Sequence, residues 1–340
     1  MDYVSLKEAK QLIIDCFTVG IVPMLWSSPG VGKSDLMKQI AKEHGLFLID
    51  YRLAQMDPTD LNGFPWMDKV SMRSHYAPPM NIPLEGDPIP EGYKGWLLLF
   101  DEITSAAPTM QAAAYKPILD RLIGDHKIHP NAVIAAAGNM ATDRAVVHRM
   151  STALQSRMAH IVIRVDEPDW LEHALKYEFD YRVIGFLRFR GELLHKFDPK
   201  HNDLTYSCPR TWEFASKLLK QYNSLTPQRL SLLKGVVGEG PALELKGFVD
   251  VCEDMPQKEQ IEKNPLTAIV PTEPSGLYAV SSMMVYCVDA SNYAVMMQYA
   301  ERLPLEFQTI MLSALWKKKP PLQELAPSIA WLSKNAKEFL

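Results

Sequence analysis

The sequence predicts an α/β fold, a parallel sheet with helices on both faces, followed by a remainder that is wholly helical. Three observations predict it. Up to about Asp166, apolar runs of strand length alternate with helical stretches, the pattern of a parallel sheet with crossover helices. One run, Trp96-Leu-Leu-Leu-Phe100, is apolar at every position, as a strand covered on both faces must be. After Asp166 the strand signals stop and helical periodicity takes over.

Taken in order, Ser5 with Glu8 three residues later reads as a capping box that opens a helix running to about Thr18 and stopping at Gly20. Ile21 to Trp26 is the first strand. Asp35 to His44 is helical with Gly45 as its stop, and Leu46 to Leu53 is the second strand. Trp96 to Phe100 is the third. Gln111 to Ile123 is helical with a kink expected at Pro117. Val133 to Ala137 and His160 to Val165 complete the strands. Further helices are expected at about 168–177, 181–194, 209–222, 227–238 and, beyond the polar segment Glu253 to Ser275, within 276–337. The expected division is an α/β core at 1–166, a small helical domain at 167–240 and a helical C-terminal region at 241–340. Between the second and third strands, Asp57 to Gly95 holds seven prolines. Structureless loops of that length are uncommon in compact domains and are often functional, so 57–95 is read as an inserted loop region.

Bulk properties narrow the class. The chain has 340 residues, enough for two or three domains, with 47% hydrophobic and 22% charged residues. Its 36 basic residues stand against 40 acidic ones, which argues against a dedicated nucleic-acid binder. The single basic run, Lys317 to Lys319, reads as a solvated helix end. The four cysteines, Cys16, Cys208, Cys252 and Cys287, have no metal-ligand spacing and read as scattered, mostly buried thiols in a reducing compartment. The polar N-terminus is not a signal peptide, and no run of about 18 apolar residues suggests a membrane span. A cytoplasmic location is expected.

The chemistry is concentrated in five places. Ser27-Ser-Pro-Gly-Val-Gly-Lys-Ser34 nearly matches the phosphate-loop pattern and sits between a strand and a helix. The turn Pro29, Gly30, Val31, Gly32 would cradle phosphate, its glycines allowing a tight turn that aims N–H groups inward. Lys33 would reach the β- and γ-phosphates and Ser34 would ligate Mg²⁺. Ser27 replaces the pattern's first glycine, which would stiffen the loop and bear on turnover more than on binding. A ligand-free Gly-rich turn is the alternative. Second, the third strand ends in Asp101 and Glu102, where Asp101 would hold Mg²⁺ and Glu102 would orient or deprotonate the attacking water; helix capping is the alternative. Third, Asn139 ends the fourth strand, placed either to bond the γ-phosphate or to make a turn. Fourth, Arg157 follows a helix before the fifth strand, either complementing the helix dipole or serving as an arginine finger for the neighbouring subunit. Fifth, Arg210 lies in the first turn of a helix opened by Pro209, where a cation is unfavourable by roughly 0.3–1 kcal/mol; a bound phosphate or a salt bridge would offset this.

In this order and spacing the segments resemble the MoxR branch of AAA+ ATPases, especially forms from bacterial and phage genomes. The carrying residues are Ser27 to Ser34, Met56-Asp-Pro-Thr-Asp-Leu-Asn-Gly-Phe-Pro65, Leu99 to Ile103 and Gln111 to Tyr115. They continue with Ala137 to Arg144, Leu154 to Met158 and Cys208 to Trp212. The resemblance implies a five-stranded core in the order 5-1-4-3-2 with a helical lid, and hydrolysis of ATP with Mg²⁺. It makes Asn139 the first sensor, Arg157 the trans-acting finger and Arg210 the lid sensor. It implies a homo-oligomer, usually a hexameric ring, acting as a chaperone or remodeller of a protein partner, often one with a von Willebrand A domain. The 57–95 insertion would meet partner or substrate, with Phe64, Trp66 and Tyr76 as contacts. Three rivals remain: a nucleic-acid remodelling motor, disfavoured by the charge balance; a GTPase, for which no Asn-Lys-x-Asp signature is present; and a nucleotide-gated scaffold that hydrolyses poorly, hinted at by Ser27.

Overall fold

The computed structural model describes residues 2–140, 148–198, 203–222 and 224–339. The last four residues of the Ala137 to Arg144 motif, from Ala141 on, lie outside them. The described residues fall into two units, one up to Asp166, with Asp198, and one holding the rest from Glu167 onward.

The first unit is built on a six-stranded parallel sheet. In chain order its elements begin with β1 (Tyr3–Val4), α1 (Leu6–Thr18), β2 (Val22–Trp26), α2 (Lys33–His44) and β3 (Leu46–Arg52). Then come α3 (Pro58–Asn62), β4 (Phe64–Asp68), β5 (Arg73–Ala77), β6 (Gly95–Asp101) and α4 (Pro108–Asp120). The unit closes with β7 (Leu122–Ile123), β8 (His126–Lys127), β9 (Ala132–Gly138), α5 (Thr152–Gln155) and β10 (Met158–Ile163). The large sheet runs β1-β10-β2-β9-β6-β3. Without the two-residue edge strand β1, this is the order 5-1-4-3-2 expected of an AAA+ P-loop NTPase core.

Burial follows the pattern that predicted the sheet. All seven residues of β6 are buried. Leu97 and Leu99 face Ile13 of α1 and Met37 and Ile40 of α2, while Leu98 and Phe100 face Met110, Ala114 and Ile118 of α4. Each fully buried Leu contributes roughly 1.5–3 kcal/mol, so a strand that is apolar on both sides is stable only when sandwiched. At the start of β6, Gly95 is required by close approach: a Cβ there would fall 2.1 Å from the Asn131 carbonyl oxygen. The Ser5 cap forms as expected. Ser5 Oγ accepts from Glu8 N at 3.3 Å and the Glu8 carboxylate accepts from Ser5 N at 2.7 Å.

The differences from expectation have local causes. The 57–95 region is not structureless: it holds α3 and the antiparallel hairpin β4–β5, with Trp66 opposite His75 and Pro65 opposite Tyr76. A proline normally demotes a strand, and the hairpin, exposed along nearly its whole length, lacks an apolar alternation to reveal it. The helix expected at 111–123 begins at Pro108 and ends at Asp120. Arg121 turns the chain at φ 54 into the small hairpin β7–β8, for which Gly124-Asp125 was the available turn signal. The fifth strand begins two residues earlier than expected, because Met158 already pairs with Val22.

The second unit is helical among its described residues: α6 (Glu167–Lys176), α7 (Tyr181–Phe189), α8 (Pro209–Leu219), α9 (Pro227–Val237), α10 (Glu239–Asp254), α11 (Lys258–Lys263), α12 (Pro274–Cys287), α13 (Tyr293–Ala300), α14 (Leu305–Lys318) and α15 (Ala326–Phe339). The polar stretch 253–275 therefore hides one helix, α11. A buried Asp180–Arg182 pair at 2.8 Å ties α7 to the end of α8, because Arg182 also donates to the carbonyls of Leu219 and Tyr222. Trp212 of α8 is fully buried and donates Nε1–H to the Leu193 carbonyl. The Lys317 to Lys319 run is not simply solvated. Lys319 donates to the carbonyls of Tyr286 and Val288 at the end of α12, and Lys318 lies 3.4 Å from the Tyr286 ring centroid. All four cysteines are free thiols, and burial pushes Cys252 up to about 12 and Cys287 up to about 11. Among the described residues no helix is long and apolar enough to cross a membrane.

Candidate functional site

The carboxyl ends of β2, β9 and β6, neighbours in the sheet, bring together most of the residues singled out in the sequence. Between β2 and α2, Gly30 and Gly32 adopt φ of 78° and 115°, a left-handed region that other residues occupy only under strain. Gly32 is the N-cap of α2 and offers no side-chain bond to the helix's first N–H groups. Those donors and the positive end of the helix dipole are suited to an anion. Val31 points the other way, 3% exposed in the core, and pins the loop to the sheet; Pro29 and Gly30 are half-buried beside it.

Lys33 is only 9% exposed. Its Nζ donates to the Ser27 carbonyl at 3.0 Å, to Ser27 Oγ at 2.9 Å and to Asn139 Oδ1 at 3.0 Å. Ser27 is fully buried, and its hydroxyl in turn donates to the Ser28 carbonyl. The departure from the glycine pattern thus supplies an acceptor for the lysine. A glycine here could offer only its carbonyl.

The second cluster is Ser34, Asp101 and Glu102. Ser34 Oγ donates to Asp101 Oδ2 at 2.6 Å, and Glu102 N donates to Asp101 Oδ1 at 2.8 Å. Both oxygens of Asp101 are therefore oriented, in a residue 9% exposed. Negative charge accumulates here. Burial first, then Asp101, pushes the carboxyl of Asp50 on the adjacent strand up from its ordinary value, against the lowering effect of Arg52 and Lys38. Glu102 is half-buried and held at φ 57, with its carbonyl accepting from Ser105 N and Ala106 N. A non-glycine residue at positive φ costs of order 1–3 kcal/mol and tends to occur at functional sites. Its carboxylate has no hydrogen-bond or ion-pair partner among the described residues. Neither acid caps α4, whose N-cap is Ala107.

Asn139 extends the first cluster. Its side chain takes Lys33, and its N–H donates to Thr104 Oγ1 at 3.0 Å. Thr104 is 1% exposed, and its carbonyl accepts from His148 N at 2.7 Å. Sequence reasoning missed Thr104. The available signal was a hydroxyl residue two positions after Glu102, where the strand's carboxylates give way to a turn. Replacing Thr104 with Val keeps the shape and strands the Asn139 N–H. The expected cost is roughly 1–3 kcal/mol, read as a lower urea midpoint, together with slower turnover of any nucleotide that uses Asn139.

The two arginines stand apart from these clusters in their contacts. Arg157 lies just past α5. Its Nη1 donates to the Ala153 carbonyl at 2.6 Å and to Ser156 Oγ at 3.3 Å, its guanidinium sits 4.9 Å from the Tyr115 ring centroid, and its buried Nε has no partner among the described residues. Arg210 belongs to the second unit, in the first turn of α8 behind Pro209. It is exposed, and among the described residues it makes no hydrogen bond and none of the ion pairs that would offset its unfavourable position.

No family model matches the sequence, and no curated protein matches it. Among solved structures, a candidate ATPase from Cytophaga hutchinsonii is similar at 12% identity over 92% of this chain and 81% of that one, with a TM-score of 0.36. A point mutant of RuvB from Thermotoga maritima is similar at 16% identity over 72% of this chain and 69% of that one, with a TM-score of 0.37. Likeness at this level carries no weight for function.

Proposed function

We propose that this chain is a Mg²⁺-dependent ATPase of the MoxR-like AAA+ type that assembles as a ring, usually of six in the family it resembles, and remodels a protein partner. The observation that carries this reading is the joint placement of Lys33 on Asn139 and of Ser34 on Asp101 at neighbouring strand ends. A lysine, an amide, a hydroxyl and a carboxylate are thus converged on the mouth of a glycine turn, with a helix N-terminus behind it. A triphosphate with its metal is the ligand class that uses all of them.

The donor set fits Mg²⁺, which takes oxygen ligands and usually needs only one or two from the protein beside phosphate and water. Ser34 and Asp101, already paired through the Ser34 hydroxyl, would hold it. When bound, the ion would offset charge on the phosphate oxygens. The chain's own residues do the rest. The turn Pro29 to Gly32 cradles the phosphates, and Lys33 grips the β- and γ-oxygens. Glu102 orients a water and accepts its proton as the water oxygen attacks the γ-phosphorus. The bond from that phosphorus to the β,γ-bridging oxygen breaks, leaving ADP and phosphate. Asn139 holds the γ-phosphate or the water. Arg157 of the adjacent subunit and Arg210 of the helical unit neutralise charge as it develops.

The exposed hairpin β4–β5 gives the ring a surface for its partner. Phe64, Trp66 and Tyr76 are 70%, 51% and 40% exposed on it. A protein partner, such as one with a von Willebrand A domain, would cover these aromatics.

Equilibrium titration of ATP with Mg²⁺ tests the reading. Lys33→Ala removes charge-assisted bonds worth roughly 1.5–3 kcal/mol each, so its affinity should fall by about ten- to a hundredfold or more. Absence of ATP binding by the wild type, or equal binding by the variant, overturns the proposal.

A further inference from the structure

Trp26 is the last residue of β2 and directly precedes the phosphate loop. Its indole ring stacks on the His160 imidazole of β10, with centroids 5.9 Å apart and planes at 30°. Trp26 Nε1 donates to His160 Nδ1 at 2.9 Å, and His160 Nε2 lies 2.8 Å from the Gln155 carbonyl oxygen. These partners fix the tautomer. An indole N–H can only donate, so Nδ1 is the acceptor; a carbonyl can only accept, so Nε2 carries the proton.

The far end of this bridge is the telling one. Gln155 is the last residue of α5, a helix of four residues, too short to hold its shape by internal bonds. Arg157 follows two residues later and is tied back to the same helix through the Ala153 carbonyl and, by its own N–H, the Leu154 carbonyl. Apart from the Tyr115 ring against its guanidinium, the Arg157 turn is placed by α5, and α5 is held at its end by His160. His160 itself sits on a strand paired through five residues with β2, from Met158 opposite Val22 to Val162 opposite Trp26.

We infer that His160 is a positioning residue for Arg157: it braces the turn that presents the guanidinium against the strand that leads into the phosphate loop. The inference rests on the reading of Arg157 as a group supplied to the adjacent subunit. His160 touches no nucleotide in this account. It acts through the Gln155 carbonyl, and its loss lets the Arg157 turn drift. Misplacement of a charge-stabilising group by about 1 Å costs on the order of a hundredfold in rate.

The test uses His160→Ala and His160→Phe, the latter keeping a ring against Trp26 while removing both nitrogens. Steady-state hydrolysis and ATP binding are measured for each, alone and co-assembled with Lys33→Ala chains. The expected result is turnover lowered by about ten- to a hundredfold, ATP affinity within about twofold of wild type, and recovery of activity in the mixture. Recovery follows because a His160 variant keeps a sound phosphate loop and a Lys33→Ala chain keeps a sound Arg157. Unchanged turnover in either variant overturns the inference. So does loss of turnover that the mixture fails to restore, since the damage then lies in the variant's own phosphate loop. Co-assembly of Arg157→Ala with Lys33→Ala is run alongside. Failure of that control overturns the shared-site reading rather than the role of His160.

Discussion

Glu102→Gln is expected to bind ATP within a few fold of wild-type affinity and to turn it over about 10²- to 10⁴-fold more slowly, the usual value of a positioned general base. The substitution is close to isosteric. The turn at φ 57 is held by backbone bonds from Ser105 and Ala106 and by the bond of Glu102 N to Asp101, none of which involves the Glu102 carboxylate. Ser34, Lys33 and Asp101 keep their contacts, so binding persists. What is lost is a carboxylate that has no partner among the described residues and so is available to a water; an amide cannot take the proton. Phosphate release beside equilibrium binding measures both halves. Normal turnover would remove Glu102 from this role. Because the variant should stay loaded, it is also the bait of choice for testing whether a protein partner binds over Phe64, Trp66 and Tyr76.

Arg157→Ala is expected to lose about 10³-fold or more in turnover, the range set by arginine fingers elsewhere, with ATP affinity little changed. The residue's contacts within its own chain are modest: two bonds to the preceding turn and the face of Tyr115. A cation–π contact of this kind is worth roughly 0.5–1 kcal/mol at an exposed site and more when desolvated, so the fold should survive, as thermal melting will report. Arg157→Lys keeps the charge and loses the planar fork, and should fall between the two. Equal turnover by Arg157→Ala and wild type would leave Arg157 as no more than a helix-end cation.

Much of this was legible in the chain because the physics is local. A strand buried on both faces must be apolar throughout, and Trp96 to Phe100 is. A turn that wraps phosphate needs glycines at positive φ, and Gly30 and Gly32 stand in the spacing that provides them. The hairpin β4–β5 was not legible, since Pro65 argues against a strand and exposure of both faces erases the alternation that marks one. Helix α11 was lost for the related reason that a charged helix of six residues, with Ile261 its one buried side chain, resembles a linker. Ser27 read as a defect in a pattern, yet its hydroxyl accepts from Lys33 six residues on. Thr104 and His160 make their telling bonds to residues 35 and 134 positions away. Spacing along a sequence carries no trace of such pairs, because they are set by which strand ends the sheet order brings together.

The central claim is that one chain grips the triphosphate and the next completes the site. Co-assembling Arg157→Ala with Lys33→Ala, each nearly inactive alone, addresses it directly. In a head-to-tail ring mixed at random, about a quarter of the interfaces join an intact Lys33 to an intact Arg157, so hydrolysis should return toward that fraction of the wild-type rate. Particles that contain both variants and still do not hydrolyse ATP would contradict the claim, as would full wild-type turnover by single, unassembled chains.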